Sequence, residues 1–321
     1  MSEPLYWCLL DEQPHYLVPP ASMRAQCLEP LVINPHCRFS WKPDLDPDAG
    51  EQPTNQTAPQ LGEVTGFLPA QCIAWVQDPT TGADWPYWIG HAFIDAVVAL
   101  SAGRIEPAAL PPATRWVLAQ AGILIQPMAH QLRRCECAQR AAWAKQQFRR
   151  GFAAMPALIP PFQLGAMRRY YRQCVRAGVM RLGDGQVDRR FVAYNESVAR
   201  FVQQQLTGAV TQVAGRAVKP SYAYVAAYQG GAALERHTDR PQCEYTLSVC
   251  LDFTPETSGA CAWSINLDMA HHTVRVLQRP GEGLLFRGRS IAHHRDRLPA
   301  NASATSVLLH YVNAEFNCPL A

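Results

Sequence analysis

Two side chains that bind first-row metals stand two residues apart in Leu234-Glu235-Arg236-His237-Thr238-Asp239-Arg240. In an extended segment, side chains at i and i+2 leave from one face. The His237 imidazole and the Asp239 carboxylate can therefore grip one metal ion together. A third ligand must come from elsewhere, and the best placed is His293, in Gly288-Arg289-Ser290-Ile291-Ala292-His293-His294-Arg295. Two imidazoles and a carboxylate on one side of a metal leave the opposite positions open to small ligands, an arrangement suited to non-haem Fe(II). The same three groups could hold zinc and a hydrolytic water, but no general base stands out beside them.

The rest of the chain must position these residues. With 321 residues, 48% hydrophobic and 17% charged, it is long enough for one large or two ordinary domains and apolar enough to pack a core. No apolar run approaches the length of a membrane span, so no membrane partner is expected. Met1-Ser2-Glu3-Pro4 lacks the basic start of a secretory signal. The 11 cysteines are an odd number without a disulfide-like framework, which reads as reduced thiols in a cytoplasmic protein. Cys135 and Cys137, near His130, lack a second cysteine pair to complete a metal site and fall in a helical stretch. The net charge of +3 hides an asymmetry: residues 1–130 sum to −8, residues 131–200 to +10 and the remainder to +1. The basic middle either faces the acidic N-terminal part or meets an anionic partner. No base-reading motif accompanies it, so nucleic acid is not an expected partner.

Residues 1–42 suggest a few short strands, and 43–60, with four prolines, a loop. A strand is expected at Ile73–Val76, helices at His91–Leu100 and from Pro111-Pro112 to Leu118, and a long basic helix over 128–152. Ile159-Pro160-Pro161 breaks that helix, and a domain boundary is placed near 150. Helices follow at Phe162–Val179 and Glu196–Gly215, the second with Val198, Phe201, Val202, Leu206 and Val210 at helical spacing. From Ser221 the pattern becomes short β-branched and aromatic runs, at 221–228, 244–253, 260–266, 272–278, 283–287 and 303–313. Helices followed by such strands make an α+β fold ending in a sandwich or jelly roll. His271 and His272 read as a solvent-facing turn.

Ser221–Val312 resembles the prolyl-4-hydroxylase-like branch of the Fe(II)/2-oxoglutarate dioxygenases. The residues that carry the likeness are Tyr228-Gln229-Gly230, Leu234–Asp239, Tyr245-Thr246-Leu247-Ser248-Val249, Gly281-Glu282-Gly283-Leu284-Leu285-Phe286, His293, and Val307-Leu308-Leu309-His310-Tyr311-Val312. It covers about the last 100 residues well and 155–220 loosely. The resemblance implies a C-terminal double-stranded β-helix with flanking helices, over 151–321; residues 1–150 lie outside it and read, from their own pattern, as a mixed α/β N-terminal domain. It implies Fe(II) on His237, Asp239 and His293, with 2-oxoglutarate and O2 as cosubstrates. It also implies hydroxylation of a C–H bond in a peptidyl or small-molecule substrate; the extra 150 residues, outside the resemblance, offer a means of recruiting a peptide or protein substrate. The family spacing between the two histidines favours His237 with His293, 56 residues on, over the second His-x-Asp at His294-Arg295-Asp296.

One position departs from the family. Its basic anchor for the distal carboxylate of 2-oxoglutarate, about ten residues after the second histidine, aligns here with Ser303. A buried carboxylate needs a paired charge or several donors. Arg295 shares the inward face with His293 and is one substitute; Tyr224 and Tyr228, with Tyr222 on the same strand face, and Ser306 are further candidate donors. An Fe(II) oxygenase without 2-oxoglutarate, or a non-catalytic metal-binding jelly roll, remain as alternatives. The sequence carries no indication of oligomeric state.

Overall fold

A computed structural model of the chain describes residues 9–10, 30–41, 72–255 and 261–320. The proline-rich loop expected over 43–60 lies outside them. The chain divides into two units, one formed by residues up to 79 and 84–136, the other by 80–83 and 137–321. The boundary expected near 150 lies just beyond this division.

The first unit holds a four-stranded sheet ordered β1-β5-β4-β3, from β1 (Leu9–Leu10), β3 (Cys37–Trp41), β4 (Cys72–Gln77) and β5 (Asp84–Ile89). A small pair joins β2 (Val32–Ile33) to β6 (Leu124–Ile125). Helices α1 (His91–Ser101) and α2 (Pro112–Gln120) complete it. Trp75, Trp85 and Trp88 are fully buried, so wide indole rings fill this small core.

Helix α3 (Pro127–Phe148) crosses the division. It stops short of the expected 152, because Gly151 turns at φ 103° and Phe152–Met155 becomes strand β7 instead. Gly151 N–H has left the helix register for the Phe148 carbonyl, the tighter bond of a last turn.

The second unit is built on two sheets. The larger orders its strands β7-β15-β12-β17-β10-β9-β8, all antiparallel, from β8 (Arg181–Leu182), β9 (Arg190–Tyr194), β10 (Val218–Tyr228), β12 (Tyr245–Thr254), β15 (Gly283–Phe286) and β17 (Ser303–Asn313). The smaller is β11-β16-β13-β14, from β11 (Leu234–His237), β13 (Ile265–Asp268), β14 (Thr273–Val276) and β16 (His293–Arg295). Side chains from both sheets share cores. Leu267 and Ile265 of the small sheet pack with Leu284 and Phe286 of the large one. Leu234 and Trp263 pack with Ala226, Tyr228 and Ala304. Two antiparallel sheets thus enclose an interior, as the strand pattern predicts.

Helices α4 (Pro161–Arg176) and α5 (Ser197–Ala214) pack on the large sheet, α5 against β10 and β17 and α4 against β12. Buried Gln203 of α5 donates its amide to the carbonyls of Tyr222 and His310, while Tyr311 donates its hydroxyl to the Gln203 carbonyl. Tyr311 faces the helix, so its neighbour His310 faces the interior. Glu196 caps α5 by accepting from the N–H groups of Val198 and Ala199, and Gly215 ends it in the left-handed conformation. Arg168 and Arg172 of α4 meet Asp252 of β12 at 2.9 and 2.5 Å.

Candidate metal centre

His237 closes β11 and His293 opens β16, and the two are direct cross-strand partners. Their rings lie 4.3 Å apart, centroid to centroid. The strand pairing thus supplies the third group from a distant part of the chain. Asp239 follows two residues beyond His237, and its Oδ1 lies 3.7 Å from His237 Nε2 and 3.6 Å from His293 Nε2. The three candidate ligand atoms all fall within 4.8 Å of one another.

Each group is held from behind. His237 Nδ1 lies 2.8 Å from the Glu235 carbonyl, and His293 Nδ1 lies 3.0 Å from that of Ile291. A carbonyl only accepts, so Nδ1 carries the proton and Nε2 presents its lone pair to the centre. Burial pushes the His293 pKa down, keeping that lone pair free near neutral pH. Asp239 Oδ2 accepts from Thr246 Oγ1 at 2.6 Å, and Thr246 Oγ1 lies 3.1 Å from His310 Nδ1. Thr246 has one hydroxyl proton. With that proton on Asp239, the His310 N–H donates to the Thr246 oxygen, and Asp239 Oδ1 is left facing the histidines. Burial holds His310 down at about 4, so it enters this relay as the neutral ring.

Gly288 closes the cradle. Its carbonyl accepts from the Asp239 N–H at 2.9 Å, and a Cβ there would collide with Asp239 Oδ2 and Thr246 Oγ1. The donor set, its tautomers and this fitted backbone all match the requirements of one divalent ion. A second group, Asp239, Cys243 and His310, also brings ligand atoms together. There burial pushes the Cys243 thiol up to about 12, its sulfur is 3.0 Å from the Tyr222 hydroxyl, and His310 Nδ1 is engaged by Thr246. That group lacks a ready thiolate.

The triad lines a cavity of about 950 Å³, into which Arg295, Tyr224, Tyr228 and Ser306 also face. Arg295 is 7% exposed. It donates to the Trp263 carbonyl at 3.1 Å and stacks 4.6 Å over the Trp263 ring, with no carboxylate partner among the described residues. A buried guanidinium in that state calls for an anion. Ser248 also lines the cavity, and its buried Oγ has no hydrogen-bond partner among the described residues. Ser306 is buried opposite Cys250, one pleat from Ser248. Tyr224 gives its hydroxyl proton to Asp184, so its oxygen is left only as an acceptor. Tyr228 accepts from Arg190 at 3.0 Å and keeps its own proton to donate. Ser303 begins β17 and does not line the cavity.

His294 pairs with Asn266 on the opposite face from His293, and Asp296 accepts from Asn266 at 3.2 Å. The second His-x-Asp therefore points away from the centre. His271 and His272 are exposed. Thr246, Ser248, Gly288 and the Asp184–Arg190 pair were not singled out as site residues from the sequence. The first two lie in Tyr245–Val249, a stretch that carries the family likeness without giving either residue a role, and nothing local marks the others.

No family model and no curated protein matches the sequence. Several solved structures are similar over about half of the chain. A prolyl-4-hydroxylase from Pseudomonas putida is 15% identical with a TM-score of 0.45, covering 54% of this chain and 98% of its own. A prolyl hydroxylase from Trichoplax adhaerens, in complex with a hypoxia inducible factor peptide, is 12% identical with a TM-score of 0.45, covering 55% and 92%. HygX from Streptomyces hygroscopicus, with nickel, 2-oxoglutarate and hygromycin B bound, is 12% identical with a TM-score of 0.43, covering 54% and 87%. The structures this chain is similar to are thus prolyl hydroxylases and other 2-oxoglutarate–Fe(II) oxygenases.

Proposed function

We propose that the C-terminal region, residues 151–321, is an Fe(II)- and 2-oxoglutarate-dependent oxygenase domain on a double-stranded β-helix, hydroxylating a C–H bond of a peptidyl or small-molecule substrate. The observation that carries this reading is the convergence of His237 Nε2, His293 Nε2 and Asp239 Oδ1, each fixed from behind by a hydrogen bond or backbone contact. In this reading those three residues hold Fe(II). Bound with 2-oxoglutarate and O2, the iron supplies the oxidising chemistry that a polypeptide lacks. The protein binds, orients and shields. Arg295 meets the distal carboxylate of 2-oxoglutarate, taking the role of the basic residue missing at Ser303. Ser248, Ser306 and Tyr228 add hydroxyl donors. Tyr224 acts less directly, by holding Asp184 and through it Arg190 beside Tyr228. Phe286, packed edge-on against His293 at 4.8 Å, keeps bulk water from that side.

Residues 1–150 form, in this reading, a separate domain that recruits the substrate or a partner. All the described cysteines are free thiols, which suits a reducing compartment such as the cytoplasm. Among the described residues, no helix is long and apolar enough to cross a membrane.

The test is to load the protein anaerobically with Fe(II), add 2-oxoglutarate and O2, and measure succinate. Succinate formation that disappears in His237→Ala is expected. Oxygen consumption without succinate would point instead to an iron oxygenase that does not use 2-oxoglutarate. In Arg295→Gln the Kd for 2-oxoglutarate should rise by about 10- to 100-fold, the worth of one charge-assisted bond, with Fe(II) affinity unchanged.

A further inference from the structure

The cavity extends outward past the metal centre to a mouth where the charges do not balance. Three carboxylates line the whole cavity: Asp184, Glu196 and Asp239. Asp239 belongs to the metal centre. Asp184 is matched by Arg190 at 2.5 Å and by the Tyr224 hydroxyl. Glu196 accepts from the hydroxyls of Tyr170 and Tyr171 and from two N–H groups at the start of α5. Four arginines line the same cavity. Arg190 is matched by Asp184, and Arg295 sits buried beyond the triad. Arg181 and Arg240 remain, exposed at the mouth, and among the described residues neither makes an ion pair.

Their placement is not that of scattered surface charge. Arg181 pairs with Val192, and Tyr194 lies two residues further along β9, so all three side chains share one face. Tyr194 pairs with Tyr224, which puts that face on the cavity side. Arg240 reaches in from the β11–β12 connection, with its guanidinium 5.9 Å from the Tyr222 ring. Tyr194 stacks on Tyr222 at 5.1 Å yet leaves 47% of its own surface open. The mouth therefore offers one exposed aromatic face, backed by a second ring, with the side chains of Arg181 and Arg240 in the same lining.

We propose that this mouth binds a small anionic molecule with a flat unsaturated portion, its carboxylate or phosphate met by Arg181 and Arg240 and its flat portion laid on Tyr194. This rests on the catalytic reading above and names the class of its substrate. Paired guanidiniums match planar carboxylates and phosphates, and the open ring face matches a flat group.

The test titrates benzoate and phenyl phosphate into full-length protein saturated with 2-oxoglutarate, with phenol as the neutral control, by calorimetry or ligand-observed NMR. Both anionic probes, or one of them, should bind at least about tenfold more tightly than phenol, and the tighter one names the anionic group. Arg181→Gln and Arg240→Gln should each weaken that binding by about tenfold, and Arg240→Lys by less. Circular dichroism melts identify any variant that has lost its fold, and probe binding to Arg240→Lys then serves in its place. Phenol binding as tightly as the anions, unchanged affinity in the glutamine variants, or displacement of the probes by 2-oxoglutarate would each overturn the proposal. The readout needs neither turnover nor iron. Failure of the succinate assay with intact, arginine-dependent probe binding would remove the catalytic reading and leave the anion site standing.

Discussion

Gly288→Ala adds a single methyl group, and it aims that methyl at the heart of the proposed iron centre. Built on the existing backbone, the new Cβ lies far inside the contact distance of Asp239 Oδ2 and Thr246 Oγ1, with Asp239 Cγ at 3.0 Å. The carboxylate has to retreat by roughly 1 Å, whereas metal–ligand distances tolerate only about 0.2 Å. Backbone relief is restricted, because the Gly288 carbonyl is itself bonded to the Asp239 N–H at 2.9 Å. Retreat also breaks the Thr246 bond that turns Asp239 Oδ1 toward the histidines. Disturbing support alone costs about 10- to 100-fold in metal affinity, and here the ligand itself moves, so Fe(II) affinity should fall by about 100-fold or more. Anaerobic titration of Fe(II) against a fluorescent chelator reads this directly, with a thermal melt of the apo-protein as the control for folding. An unchanged Fe(II) Kd in a folded variant would refute both the role of Asp239 and the idea that Gly288 shapes the centre.

Two further outcomes follow from the scaffold. Gln203→Leu removes the amide that bridges the Tyr222 and His310 carbonyls and should cost about 2 kcal/mol in urea unfolding, since buried acceptors lose their donor; a loss within experimental error would mean that α5 holds the sheet without this clamp. At Asp184, burial acts to raise the pKa, but hydrogen bonds from Tyr224, the N–H groups of Gln186 and Val187, and Arg190 outweigh it and bring the group down to about 2. A pKa depressed on folding stabilises the protein above the unfolded carboxylate value of about 3.9 and loses that contribution as pH falls toward the folded value. Stability profiles of the wild type and Asp184→Asn should therefore converge between about pH 4 and pH 2; parallel profiles across that range would contradict the assignment.

The elements with a strong local signal were legible in the sequence. Helix α5 shows five apolar residues at helical spacing, all buried in the structure, and ends at a glycine. The long strands β10, β12 and β17 appear as dense β-branched and aromatic runs. The short strands β9, β11 and β16 are too polar or too brief to show a period, and they form because longer neighbours offer edges to pair with. Strand β7 carries no signal of its own, and the expected helix overruns into its first residue, Phe152, since only Gly151 marks the break and its turn is fixed by pairing with β15.

By itself the sequence determined the chemistry on offer: a His-x-Asp pair, a distant histidine, and a missing basic residue at Ser303. The first two follow from residue types and from the two-residue period of an extended chain, the third from the family resemblance. Only the tertiary structure decided which atoms meet. Antiparallel pairing put His237 directly across from His293, and the pleat sent His294 the other way while leaving Arg295 inside. Thr246, Ser248 and Gly288 acquired their places because sheet register and close packing bring together residues that no local pattern relates.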